Sequence, residues 1–311
     1  MNNILYNTEN LFDTASVLAF INDFTVGLDI EHVQINTWAI EAVVKGMKFD
    51  FPHIDGLEKA SPFKKAANFL CYFVAEAPIL KSPYIVFDDC PKDLDVLAAD
   101  IVDTAFPNQG ALCVAGTRLL MQAGIRDKLL PKIIALSKAL VPQDPLNPDT
   151  SFGAIMNEAH MHKVLGYIER AQVQGCELIV GGNQVNQDSG GFYIEPTIFD
   201  QVDPNAEIAQ EEIFGPVLSI MTFDSEQQAI EIANNSHYGL AAYVATEDMA
   251  RARRLGRKLN TGILAAVTTS TPTGGGVSIP MEGHKQSGFG MEGGVAGLKA
   301  YTVATMVNMY I

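Results

Sequence analysis

The stretch Asn108-Gln109-Gly110-Ala111-Leu112-Cys113-Val114-Ala115-Gly116-Thr117-Arg118 sets a single cysteine three residues after a glycine. Small residues on both sides allow a tight turn. A thiol on such a turn can face a pocket, whereas an isolated cysteine is otherwise a small buried hydrophobe. Working outward, Pro83 to Phe87 reads as a strand and Asp93 to Phe106 as a helix, with Asp93 and Asp95 suited to its N-terminal turn. Downstream, Thr117 to Met121 reads as a strand, and Ile125 to Leu140 and Glu158 to Gln174 as helices. Strands follow over Glu177 to Val180, Phe192 to Phe199 and Val217 to Phe223. A helix over Ser225 to Asn234, a strand over Tyr238 to Ala245, a helix over Glu247 to Leu259 and a strand over Ile263 to Val267 complete the series. This alternation predicts an α/β domain with a largely parallel sheet flanked by helices.

Residues 1 to about 60 are less regular. Leu11 to Phe24 suits an amphipathic helix, and His32 to Trp38 alternates like a strand. Ser61-Pro62 predicts a helix start, with Pro78 as its stop. At the other end, Tyr301 to Ile311 has strand character and no evident hairpin partner.

The chain has 311 residues, 48% of them hydrophobic, which is enough for two domains or one large one with a substantial core. Its formal net charge of −15 argues against a nucleic acid or an anionic membrane surface as partner. The best apolar run, Phe69 to Leu80, is short and contains Glu76, so no membrane span is expected. Met1-Asn2-Asn3 opens no secretory signal pattern. Cys71, Cys90, Cys113 and Cys176 lack metal-ligand spacing, and sparse thiols in a chain this size suggest a reduced, cytoplasmic setting. His284 alone makes no metal site. Gly274-Gly275-Gly276 lacks the following Lys-Ser/Thr of a phosphate loop and reads as a plain loop.

A second block, Gln210-Glu211-Glu212-Ile213-Phe214-Gly215-Pro216-Val217, follows the cysteine block at a distance. Together the two resemble the signatures of the NAD(P)-dependent aldehyde dehydrogenase superfamily. Further strings in the same order extend the resemblance over about residues 81 to 303: Lys81-Ser82-Pro83, Gly191 to Ile198 with Pro196-Thr197, Tyr238-Gly239-Leu240, and His284-Lys285-Gln286-Ser287-Gly288-Phe289-Gly290. The resemblance implies a fold, an aldehyde dehydrogenase-like catalytic domain, and a chemistry. A cysteine thiolate attacks an aldehyde, hydride passes to NAD or NADP, and water cleaves the thioester with help from a carboxylate base. On that reading Cys113 matches the nucleophile, and its backbone N–H supplies half of an oxyanion hole. Glu212 matches the carboxylate that accepts from the nicotinamide ribose, and Phe214 the aromatic beside the nicotinamide. The implied partners are a small aldehyde or acyl substrate and further copies of the chain.

The chain also departs from that pattern. The family's base lies in a Glu-Leu-Gly-Gly-Lys-Ser-Pro motif; here the stretch is Ala77-Pro78-Ile79-Leu80-Lys81-Ser82-Pro83. Ala77 takes the glutamate's place, which leaves Glu76, one residue earlier, as the candidate base. In extended chain a shift of one residue points to the opposite face. No Pro-Trp-Asn motif supplies the second oxyanion donor; Trp38 does not fit one. The expected organisation is a short divergent N-terminal region over 1–76, too short for a complete doubly wound nucleotide domain, a catalytic domain over 77–285, and a C-terminal segment over 286–311 with an oligomerisation strand. Three functions compete: NAD(P)-linked aldehyde oxidation with weak turnover by the isolated chain, a non-catalytic binding or subunit role, and a cofactor-free thiol esterase.

Overall fold

The computed structural model describes residues 81–267, 279–288, 290–299, 301–303 and 305–307. Readings that fall on residues 1–80, Glu76 among them, and on the Gly274–Gly276 loop lie outside these.

The helices and strands follow one another in chain order. They are β1 (Pro83–Val86), α1 (Leu94–Ala105), β2 (Arg118–Gln122), α2 (Ala123–Ala139), α3 (Glu158–Val173), β3 (Glu177–Val180), β4 (Gln184–Val185), β5 (Tyr193–Ile194), β6 (Thr197–Asp200) and α4 (Glu207–Gln210). After them come β7 (Val217–Phe223), α5 (Glu226–Asn234), β8 (Tyr238–Gly239), β9 (Ala241–Ala245), α6 (Met249–Lys258) and β10 (Ile263–Val267). The C-terminal part adds β11 (Met281–Glu282), β12 (His284–Lys285), β13 (Met291–Glu292) and α7 (Gly294–Lys299).

Seven strands form one sheet in the order β10-β9-β1-β2-β7-β6-β3. All neighbours run parallel except β3 with β6, which is antiparallel. The expected α/β architecture with a mostly parallel sheet is therefore the observed one. Strand periodicity explains its two cores. Ile85 and Phe87 face one side with Leu120, Met221 and Phe223, where α3 adds Met161, Val164 and Ile168. Tyr84 and Val86 face the other with Leu119, Met121 and Ile220, where α1 and α2 add Leu97, Ile101, Leu129 and Ile133. Both faces are covered, as a parallel sheet requires.

The helix starts follow their caps. Asp93, Asn157, Ser225 and Asp248 each accept a backbone N–H of the first turn at α1, α3, α5 and α6.

Two expectations need correction. The strand expected over Phe192 to Phe199 is two, β5 and β6, because Pro196 has no N–H to give a ladder and the chain changes partner there. The strand over Tyr238 to Ala245 also divides. β8 pairs antiparallel with β12, and only β9 enters the main sheet. The segment from Tyr301, expected to lack a hairpin partner, forms no strand within the single chain over its described residues, and Tyr301 and Val303 stand 91% and 95% exposed.

Candidate active site

The loop that leaves α1 is forced into an unusual path. Asn108, Gln109 and Gly110 have φ of +49°, +57° and +73° in succession. Side chains rarely adopt that region, so surrounding contacts must hold it. Asn108 donates its side-chain amide to the Ala111 carbonyl at 3.1 Å. With its amide turned to suit its neighbours, Gln109 donates to the Ala154 carbonyl at 3.1 Å and accepts from the Gly153 N–H at 2.9 Å. Gly110 is obligatory for a second reason: a Cβ there would lie 2.2 Å from the Gly215 carbonyl oxygen.

That approach brings the cysteine loop onto the segment between α4 and β7. Cys113 and Val114 are the two central residues of a turn closed by the Ala115 N–H donating to the Leu112 carbonyl at 3.1 Å. The Gly116 N–H then donates to the Thr104 carbonyl of α1, also at 3.1 Å. Cys113 is exposed at this turn, whereas Cys90 is buried.

Opposite lies the segment with Glu212 and Phe214. Phe214 has a φ of +55°, another non-glycine in the left-handed region, and the residue is 38% exposed. A small cleft, open to solvent, is lined by Leu112 and Ala115 from the cysteine turn, and by Glu212, Phe214 and Gly215 from the other segment. The structure thus brings together the surroundings of Cys113, Glu212 and Phe214, while Glu76 lies outside the described residues. Among the described residues no group of His, Cys, Asp and Glu could hold a metal ion.

Four contributors were not foreseen. His160, in the first turn of α3, meets the Phe214 carbonyl through Nε2 at 2.7 Å, and its ring lies edge-on to the Phe214 ring at 6.3 Å. Lys81, only 3% exposed, donates through Nζ to the Ile208 carbonyl of α4, just ahead of Glu211 and Glu212. Burial, and then the Arg118 cation, lower the Lys81 pKa to about 7, against the opposing pull of Glu211 and Glu212. Arg118 is itself fully buried in β2 and donates to the Ile232, Ala233 and Asn235 carbonyls at 2.8, 3.3 and 3.2 Å. Lys285 donates to the neighbouring Asn234 and Ser236 carbonyls, both at 2.9 Å. These two cations answer the free carbonyls and negative end of α5. Their partners lie far away in sequence, so no local pattern marks them.

The fold recurs in known proteins. The aldehyde dehydrogenase family model matches residues 76–307. The indole-3-acetaldehyde dehydrogenase AldA of P. syringae, solved with NAD+ and IAA, is 39% identical, with a TM-score of 0.70 over 76% of this chain and 49% of that one. The aldehyde dehydrogenase KauB of Pseudomonas aeruginosa is 38% identical, with a TM-score of 0.70 over the same shares of the two chains. An NAD-dependent aldehyde dehydrogenase from Sinorhizobium meliloti is 33% identical, with a TM-score of 0.69 over 84% of this chain and 52% of that one. The present chain therefore spans about half the length of the solved structures it matches. The matched span takes in both the cysteine turn and the segment that faces it across the cleft, and on that match the chain belongs to the aldehyde dehydrogenase family.

Proposed function

We propose that this chain takes part in NAD(P)-linked oxidation of an aldehyde to a carboxylic acid, with Cys113 as nucleophile. One observation carries the reading: the exposed Cys113 turn and the Glu212–Phe214 segment, about a hundred residues apart in sequence, flank one cleft. In the reaction the Cys113 sulfur bonds to the aldehyde carbon, and the carbonyl oxygen takes up charge that the Cys113 backbone N–H stabilises. The dinucleotide, when bound, supplies the hydride acceptor. Water then cleaves the Cys113 thioester, and Glu76 is the carboxylate assigned to help it.

Glu212 and Phe214 line the cleft at which the nicotinamide end of a dinucleotide would sit. Glu212 would accept from the ribose hydroxyls there, and the exposed Phe214 ring would lie against the nicotinamide. The NAD+ in the AldA structure supports NAD as the first candidate. The domain limits 1–76, 77–285 and 286–311 are part of the same proposal. Free thiols at Cys90, Cys113 and Cys176 fit a reduced, cytoplasmic setting.

Calorimetric titration with NAD and NADP tests the reading, and saturable NAD binding is expected. Absent binding with a still-reactive Cys113 would favour the thiol esterase, and absence of both would favour the non-catalytic subunit. Turnover by the chain alone is expected to be weak. Loss of one oxyanion donor alone costs about 100- to 1,000-fold, and a displaced base slows thioester release by up to about 10,000-fold. The assay is NADH formation from aliphatic, aromatic and acidic semialdehydes. Robust turnover lost in Cys113→Ala would contradict that expectation, and loss in Glu76→Gln as well would make Glu76 the base.

A further inference from the structure

We infer that Tyr243 is a positioning residue for Cys113, its hydroxyl holding the turn that presents the thiol. The inference rests on the reading of Cys113 as nucleophile. β9 lies beside β1, and their register sets Tyr243 opposite Tyr84. The two rings stack at 5.5 Å with 14° between their planes. Their hydroxyls have different duties. Tyr84 donates to the Asp100 carboxylate of α1 at 2.5 Å. Tyr243 donates to the Val114 carbonyl at 2.9 Å.

Val114 is the residue after Cys113, and its carbonyl takes no part in closing the turn. The next glycine rests on the same ring pair. A Cβ on Gly116 would meet Tyr84 Cδ2 at 3.4 Å and Tyr243 Cδ2 at 3.5 Å. The stack is thus a floor under the turn, and one hydroxyl rises from it to fix the turn's second residue. Burial first, then Asp100 and Cys113, push the Tyr243 phenol up to about 12. The hydroxyl therefore remains a donor throughout the range in which a cysteine ionises.

A held turn matters for acyl transfer more than for simple alkylation. In acyl transfer the sulfur, the carbonyl carbon and the oxyanion donor must meet in one geometry. A small alkylating reagent needs only an exposed thiolate. The two reactions separate positioning from exposure.

The test uses the full chain and p-nitrophenyl acetate. The Cys113 sulfur bonds to the acetyl carbon, p-nitrophenolate leaves, and the thiol proton goes to solvent. In Tyr243→Phe the release of p-nitrophenolate should slow by about 3- to 10-fold, the worth of one hydrogen bond. Iodoacetamide alkylation of Cys113, followed by peptide mapping, should stay within about twofold of the unaltered chain. Tyr84→Phe, which removes the other hydroxyl of the stack, should leave acylation unchanged. Acylation at the normal rate in Tyr243→Phe would overturn the inference. So would equal slowing of both reagents, or a Tyr84→Phe variant as slow as Tyr243→Phe. Failure of the unaltered chain to acylate at Cys113 would remove the nucleophile reading as well, and so is distinguishable from failure at Tyr243 alone.

Discussion

Gly110 is the residue at which the two halves of the cleft touch. Its φ of +73° suits glycine alone, and any Cβ would press on the Gly215 carbonyl at 2.2 Å. That carbonyl belongs to backbone and has little room, because Gly215 is itself packed on Val164. Gly110→Ala is expected to destabilise the chain by about 2 to 4 kcal/mol through overpacking and backbone strain. Urea unfolding measures it, and a loss under about 1 kcal/mol would mean that the loop yields more readily than the contact implies. The cysteines give a second residue-level expectation. Burial, and then Asp89, raise the Cys90 pKa to about 11, while burial raises that of Cys176. Cys113 is exposed. Iodoacetamide at pH 8 should mark Cys113 before Cys176, and Cys90 last. Mass mapping that finds Cys90 labelled as fast as Cys113 would deny the turn its role in presenting the thiol.

At the scale of elements, Lys81 is where the lead-in to β1 meets α4. Its folded pKa of about 7 lies below the ordinary 10.5. Between those values the unfolded chain binds more protons than the folded one, so folding becomes more favourable as pH rises. Above pH 9 Cys90 opposes this, because its raised pKa makes stability fall there. The clean window is therefore pH 7 to 9, and the expected gain across it is up to about 2 kcal/mol. Lys81→Met should flatten that slope. The Ile208 carbonyl keeps a donor in the variant, since Ser219 Oγ also reaches it at 3.0 Å. Denaturant midpoints at three pH values decide the matter, and an unaltered slope in Lys81→Met would clear Lys81 of responsibility. Much at this scale was legible in the sequence. Asp93 and Ser225 mark helix starts through local caps, and the run over 217–223 is β7. What was not legible depends on partners. Nothing local says that the chain leaves one sheet after Gly239 and enters another at Ala241, because β8 answers to His284 and Lys285. The same holds for the site. Cys113 and Glu212 stand out by their neighbours in sequence, but His160 and Tyr243 act on backbone groups 54 and 129 residues away.

At the scale of the molecule, the longest run of exposed large apolar side chains among the described residues lies near the C-terminus. Val295, Leu298, Tyr301, Val303, Met306 and Val307 are 67% to 95% exposed within one short segment. At about 25 cal/mol per Å², covering such a group of side chains is a substantial driving force for association. From Tyr301 onward the segment has strand character in its sequence yet forms no strand in the single chain over its described residues. Backbone groups left that way can pair with a strand edge of another molecule. A dimer or larger assembly through the segment over 302–311 is therefore expected. Light scattering at micromolar concentration should give at least twice the chain's 33.6 kDa. Removal of 302–311 should return it to the single-chain mass with the far-ultraviolet circular dichroism of the α/β core retained. A monomer at that concentration would show that the apolar segment is covered in some other way. An assembly unchanged by the deletion would place the contact elsewhere on the molecule. Because the cysteine turn is held by Thr104, Gly153, Ala154 and Gly215 of its own chain, the deletion should leave the order of cysteine labelling as it was, and a changed order would tie the cleft to the assembly.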